Sequence, residues 1–164
     1  MNDYLKTIRR SSAVGLWGSV AAVIIAALFH LFSPYRFYPS VATSRWMLIA
    51  GSVLAVLAVS ASLLVVRKQI PALRQNENLE AKLSGYAQHI RSLYLNMLAV
   101  VVIIAVLTVL SAQNVLLMLA IVSALMLFLT YPNIYRIKAD LDLTDDEART
   151  LFGDSYISDG SNEQ

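Results

Sequence analysis

The sequence predicts an all-α integral membrane protein: a four-transmembrane-helix bundle with a cytoplasmic helical extension and a short C-terminal helix. Three observations predict this fold. The chain is 57% apolar and only 15% charged, whereas about 25% of the residues in soluble domains are charged. The apolar residues are gathered into four long runs, and the basic residues are concentrated on one side of those runs.

The four runs are the predicted transmembrane segments, because about 20 apolar residues cross a hydrocarbon core of roughly 30 Å. They cover residues 13–32, 46–66, 93–110 and 115–135, and none of them contains Asp, Glu, Lys or Arg. The first run could be a signal peptide, but it exceeds the apolar core of about 7–15 residues typical of such peptides. We therefore predict an uncleaved span.

Residues 111–114 are the only separation between the third and fourth runs. A single helix through both runs would rise nearly 60 Å at about 1.5 Å per residue. That length is almost twice the hydrocarbon thickness, so we predict a tight extracytoplasmic hairpin instead.

Basic residues predict the orientation, because Lys and Arg are enriched in cytoplasmic loops. Eleven of the thirteen Lys and Arg residues lie in the segments 1–12, 67–92 and 136–157. Only Arg36 and Arg45 lie in the loop 33–45. We expect an integral protein of a bacterial inner (cytoplasmic) membrane, surrounded by the lipid bilayer, with both termini in the cytoplasm.

Small residues mark the faces on which the first two spans pack, since close approach of helices in lipid depends on them. They are Gly15, Gly18 and Ala22 in the first span and Gly51, Ala55 and Ala58 in the second. We expect these two spans to pack on each other or on a second copy of the chain, which leaves a homo-oligomer open.

The cytoplasmic segment 67–92 carries an apolar seam that continues into the third span. Its members follow the three- and four-residue spacing of one helix face: Leu79, Leu83, Tyr86 and Ile90. The spacing predicts one amphipathic helix from about Ala72 into the third span. A seam that projects into water must be buried, and its candidate covers are the C-terminal tail, a second copy, a partner protein and anionic lipid.

The acidic tail, residues 136–157, resembles a metal-binding loop at first sight. A calcium loop that began at Asp140 would need glycine at its sixth position and glutamate at its twelfth. Those positions hold Asp145 and Leu151. The sequence therefore predicts no metal site here.

A capped helix explains the tail better. Thr144, followed three residues later by Glu147, matches the capping box that begins a helix. The sequence predicts a short helix over 144–152, with Leu151 and Phe152 on its apolar side. We expect this helix to dock on the basic segment 67–92, and we expect disorder over 158–164.

Several kinds of chemistry lack their residues in this sequence. Ionisable residues within a span would mark ion coupling or proton transfer, and the four runs contain no Asp, Glu, Lys or Arg. Cysteine is absent, which excludes thiol chemistry. We find no catalytic triad, nucleotide-binding glycine loop or nucleic-acid motif. We therefore predict no catalytic residue, cofactor, metal or nucleic-acid partner.

Three functions stay open. The leading hypothesis is a non-catalytic scaffold, accessory or regulatory subunit that contacts a partner membrane protein through Leu79, Leu83, Tyr86, Ile90, Leu151 and Phe152. The alternative is a small transporter or pore for a neutral or apolar solute, with a path lined by Ser19, Ser52, Ser60, Thr108, Ser111 and Ser123. A membrane-bound enzyme, with acids from the tail or from a partner, is third.

Overall fold

The structure, a computed structural model, describes residues 2–32, 40–76, 78–111 and 113–153. It does not describe the side chains of residues 2, 62, 63 and 65–67. Most of the loop predicted at 33–45 and all of the disorder predicted at 158–164 lie outside the described residues. Within them the chain is all-helical and has no β-strand.

Six helices follow one another along the described chain. They are α1 (Asn2–Phe32), α2 (Val41–Arg74), α3 (Leu79–Ser111), α4 (Asn114–Leu129), α5 (Ile134–Leu141) and α6 (Asp145–Phe152). Three of them, α1 to α3, contain stretches long and apolar enough to cross a membrane. A fourth crossing results if α4 and α5, bent by 78° at a short break, form one span.

The three long helices extend past the thickness of a bilayer core. They have 31, 34 and 33 residues, and at 1.5 Å per residue each is about 46–51 Å long. We call one end of the bundle the polar end; it carries the start of α1, the end of α2, the start of α3, and α5 and α6. The opposite end, with Ser111, Gln113 and Asn114, is the hairpin end.

The central helix is α3, which packs on α1, α2 and α4. Gly15 and Gly18 of α1 face Tyr94 and Leu98 of α3, so α1 and α3 run in the same direction. The Tyr94 hydroxyl donates a hydrogen bond of 3.0 Å to the carbonyl oxygen of Leu127 in α4. The long side chains of α3 thus connect the bundle.

We expected the small residues of the first two spans to pack on each other or on a second copy of the chain, and within the described chain the glycines of these two spans do not face each other. Gly51 of α2 faces Leu107 of α3 and Leu116 of α4. Ala55 is buried in a cluster with Leu116 and Ile104, and Ala58 packs at the edge of another cluster. Ala22 is partly buried. The reason is that large side chains of α3 and α4, rather than a second small-residue face, occupy the space over each glycine.

The helix predicted from about Ala72 into the third span is divided between two helices. α2 continues through Pro71 and ends at Arg74, and α3 begins at Leu79. The Asn78 side chain accepts a hydrogen bond of 2.9 Å from the backbone N–H of Glu80. This contact favours a new helix start, because Asn competes with the backbone for local hydrogen bonds.

The fourth predicted span, 115–135, is shorter in the structure, and a helix that was not predicted follows it. α4 has 16 residues and ends before Pro132, a residue that disfavours helix in the position before it. The Asn133 side chain then accepts a 2.7 Å hydrogen bond from the Arg136 N–H and begins α5. α5 ends at Leu141, and the residue that caps it, Asp142, has a left-handed φ of 52°, a conformation that Asp tolerates better than most residues.

Two side-chain hydrogen bonds join helices at the hairpin end. His30 Nε2 lies 2.6 Å from Asn114 Oδ1 and connects the end of α1 with the start of α4. Gln113 Nε2 donates to the Ser44 hydroxyl at 2.6 Å and connects the hairpin with α2. The turn between α3 and α4 is therefore attached to both neighbouring helices.

Candidate functional site

A buried apolar cluster, which we call the polar-end core, joins all of the helices that reach the polar end. Leu83, Tyr86 and Ile90 of α3 form its centre. Around them pack side chains from α1, α2, α5, the α5–α6 turn and α6, namely Ile8, Ile70, Ile137, Leu141, Leu143 and Leu151. Helices of eight residues such as α5 and α6 are marginal on their own, so this burial holds them in place.

The polar-end core contains most of the side chains that the sequence assigned to partner contact. Leu83 and Tyr86 are fully buried, and Ile90 and Leu151 are nearly so. Leu79 and Phe152 are only partly buried at its edge. The C-terminal tail was one of the candidate covers for the seam, and its apolar side chains lie in the polar-end core together with the seam residues. Of the six side chains assigned to partner contact, Leu79 and Phe152 keep the most surface that a partner could touch.

Polar contacts around Asp140 fix α5 on α2 and α3. The Tyr86 hydroxyl donates to Asp140 Oδ2 at 2.8 Å, and Arg136 pairs with the same carboxylate at 3.7 Å. Arg74 donates from Nε to the Asp140 carbonyl at 2.9 Å and from Nη2 to the Ala139 carbonyl at 2.8 Å. The last carbonyls of a helix lack partners within the helix, so Arg74 caps α5 from outside.

The start of α6 has a complete capping box. The Thr144 hydroxyl accepts from the Glu147 N–H at 3.3 Å, and the Thr144 N–H donates to Glu147 Oε2 at 2.8 Å. The Thr144 backbone N–H and then its hydroxyl lower the pKa of Glu147, and the charge of Lys82 adds a smaller effect. Lys138 Nζ lies 2.6 Å from Asp145 Oδ1 and joins α5 to α6.

Three acidic side chains of the tail therefore take part in local structure. Asp140, Asp145 and Glu147 each have a partner within the protein. Among the residues that the structure describes, no three His, Asp or Glu side chains are placed to hold a metal ion together.

A surface cavity of about 700 Å³, which we call the basic groove, lies between α1, α5 and α6. The side chains that line it are of two kinds, the apolar Leu5, Ile134, Leu151 and Phe152 and the basic Lys6, Arg9 and Arg10. Its described lining contains no carboxylate. An apolar floor with a basic rim suits a ligand that is both apolar and acidic.

A second cavity, which we call the α2–α3 groove, has a volume of about 910 Å³ and lies between those two helices. Its apolar wall includes Leu54, Leu57, Ala61, Ala99 and Val100. The part toward the polar end is lined by Lys68, Gln69, Gln88, His89, Ser92 and Asn96.

The hydroxyl groups considered for a solute path line neither groove. Ser19, Thr108 and Ser111 each donate to the carbonyl four residues earlier in their own helix, at 2.7, 2.8 and 2.6 Å. Ser52 is partly buried, Ser60 is exposed and Ser123 is buried. No observation on the described residues favours the transporter hypothesis.

A buried polar residue beside the apolar seam, His89, is the main feature that the sequence did not lead us to predict. His89 is 6% exposed, and its Nδ1 lies 3.0 Å from Gln69 Oε1 of α2. Its Nε2 is buried and has no hydrogen-bond partner among the described atoms. Its position beside the seam residues Tyr86 and Ile90 could have indicated burial. A buried histidine needs a hydrogen-bond partner, which here comes from another helix.

Comparison with known proteins adds no assignment, since no protein-family model, no curated protein and no solved structure matches this chain.

Proposed function

We propose that this protein is a non-catalytic membrane scaffold or accessory subunit, whose polar end lies in the cytoplasm and binds an acidic, amphipathic segment of a partner protein. The observation that supports the proposal is the basic groove. It combines buried and partly buried apolar side chains with exposed basic ones at the end of the bundle where the basic residues of the sequence are concentrated.

Surface hydrophobicity supports the placement in a membrane. Large side chains such as Trp17, Phe32, Trp46 and Phe128 are 65–75% exposed. Soluble monomers seldom expose large contiguous apolar patches. The three or four candidate spans carry these side chains and would place them in lipid.

Charge and shape make the basic groove the best partner site at the polar end. The seam of α3 is buried in the polar-end core among side chains of α1, α2, α5 and α6, so it offers little surface. Arg9 and Arg10 are exposed on α1, close to the partly buried Phe152 of α6. Buried aromatic anchors and arginines carry much of the binding energy at interfaces, and a groove for an amphipathic helix is a common form of peptide recognition.

The test is photocrosslinking in native membranes with a benzophenone amino acid at Phe152. We expect one partner protein to be crosslinked. The double variant Arg9→Gln/Arg10→Gln should lower the yield by about tenfold, because an exposed ion pair contributes about 0.2–1 kcal/mol and the loss of two pairs approaches or exceeds the roughly 1.4 kcal/mol that equals a tenfold change. Lys6 is left unchanged so that the N-terminal segment keeps a basic residue, which favours the cytoplasmic side of the membrane.

The matched control carries the crosslinker at Gln75, which is exposed at the polar end but does not line the basic groove. An equal yield of the same product from Gln75 would contradict the proposal. So would a yield at Phe152 that the double variant leaves unchanged, or products that consist of lipid alone.

A further inference from the structure

The α2–α3 groove lies between two close contacts of α2. Toward the polar end, the end of the Leu73 side chain of α2 packs on Gly85 of α3. At the other end, Gly51 of α2 packs closely on Leu116 of α4, and a Cβ at Gly51 would make an ordinary contact of 3.5 Å with Leu107 of α3. Between the two contacts, small side chains such as Ala61 and Ala99 leave the space open.

The groove changes from apolar to polar along its length. Leu57, Ala61 and Ala99 line the apolar part and are exposed at the surface of the bundle. Toward the polar end, the contact between His89 and Gln69 crosses from α3 to α2. Lys68 is the charged side chain in the described lining. The arrangement matches a ligand with a hydrocarbon part and an anionic, hydrogen-bonding head.

The groove is closer in length to one leaflet than to a whole bilayer. Its lining extends from Leu54 to Leu73 along α2, a rise of about 28 Å, and from Gly85 to Val100 along α3, a rise of about 22 Å. Half of a bilayer, with its headgroup layer, measures about 20–22 Å. A transmembrane helix of a partner would need a groove across both leaflets, whereas the Gly51 contact ends this one.

We propose that the α2–α3 groove binds one anionic glycerophospholipid of the inner leaflet. An acyl chain lies along Leu54, Leu57, Ala61, Ala99 and Val100, and the phosphate is held near Lys68 and His89. Basic pockets between transmembrane helices on the cytoplasmic side are known lipid sites, and the volume of about 910 Å³ falls in the usual range for ligand pockets of about 300–1,000 Å³. The inference depends on the membrane placement in the proposed function, but not on its partner.

The test is native mass spectrometry of the purified full-length protein, titrated with phosphatidylglycerol in detergent. We expect one tightly bound lipid per chain. Ala61→Phe and Ala99→Phe fill the groove from opposite helices and should each weaken binding at least tenfold. Lys68→Ala should weaken binding of phosphatidylglycerol about tenfold and reduce its preference over phosphatidylcholine. Glycerol 3-phosphate alone should bind at least a hundredfold more weakly, because it lacks the acyl chains.

Two matched controls separate the groove from general lipid contact. Ala21→Phe adds the same bulk to an exposed position of α1, and Arg91→Ala removes an exposed charge of α3 that does not line the groove. Both should bind the lipid as the wild type does. Equal losses in the controls, or undiminished binding in both groove-filling variants, would overturn the proposal. Tight binding of glycerol 3-phosphate, or a protein in place of lipid in the groove, would do the same.

Failure of this proposal is distinguishable from failure of the scaffold function. A variant that loses the lipid but stays in the membrane fraction, with its Phe152 crosslink intact, shows that the two sites are independent. Recovery of the wild-type chain in the soluble fraction, instead of the membrane fraction, would overturn both proposals.

Discussion

At the residue scale, two glycines one turn apart on α1 differ in what a methyl group would meet. A Cβ at Gly15 would lie 2.8 Å from Cβ and Cδ1 of Tyr94 and 3.0 Å from its carbonyl oxygen. A Cβ at Gly18 would lie 2.9 Å from the end of the Leu98 side chain. A leucine methyl group can rotate away, but the Tyr94 backbone cannot move without shifting α3.

We predict that Gly15→Ala lowers the free energy of unfolding by about 1–3 kcal/mol, the usual cost of overpacking. Gly18→Ala should be close to neutral, since the better helix propensity of alanine, worth about 1 kcal/mol, offsets the small clash. Reversible unfolding of both variants in detergent measures the difference. Equal stability of the two variants would mean that α1 and α3 are not in this register.

A second prediction at this scale concerns Tyr86, whose hydroxyl donates to Asp140. Tyr86→Phe should lower the free energy of unfolding by about 1–2 kcal/mol, near the low end for a bond to a charged group, because Asp140 keeps its pairing with Arg136. Tyr135→Phe at an exposed position is the control and should have little effect. If Tyr86→Phe loses no more stability than the control, α5 does not dock on α3 through this bond.

At the scale of elements, α6 depends on its capping box and on the polar-end core. Thr144→Ala removes the hydroxyl that accepts from the Glu147 N–H and should cost about 0.5–2 kcal/mol. We expect faster hydrogen exchange throughout α6 and little change in α1 to α4. Unchanged exchange in α6 would show that packing of Leu151 alone holds the helix.

The capping box also makes α6 sensitive to acid. Hydrogen bonds from Thr144 hold the pKa of Glu147 below its ordinary value. A carboxylate with a lowered pKa stabilises the folded state above its unfolded pKa of about 4.3, and that stabilisation disappears as the pH falls through the lower, folded value. We predict that the protection factors of the α6 amides, which correct for the pH dependence of intrinsic exchange, fall on acidification through this range. Glu147→Gln should show a smaller fall, and an equal one would argue against the role of Glu147.

At the scale of the whole molecule, the proposed orientation is testable because the chain has no cysteine of its own. Ser40→Cys introduces a thiol at the exposed start of α2, and Gln75→Cys introduces one at its exposed end. An impermeant maleimide should label position 40 from outside intact cells and position 75 only after permeabilisation. The reverse pattern would place the polar end, and with it both grooves, on the outer side of the membrane.

The all-helical class and several helix ends could be derived from the sequence because they depend on local interactions. Apolar runs of about 20 residues predict long helices whatever they pack against. The capping box at Thr144 and Glu147 needs only four consecutive residues. α5 was missed, although Asn133, Ile137 and Leu141 carry a cap and a helical spacing, because the apolar run before Pro132 obscured its start.

The tertiary structure alone decided which faces meet. The sequence marked Gly15, Gly18 and Gly51 as contact residues, but only long-range packing placed α3 over the first two and α4 over the third. It also placed α5 and α6 in the same cluster as the seam, and it opened the groove between the Gly51 and Gly85 contacts. The physical reason is that a helix forms from hydrogen bonds four residues apart, whereas its neighbour depends on how whole side chains fill space between distant segments.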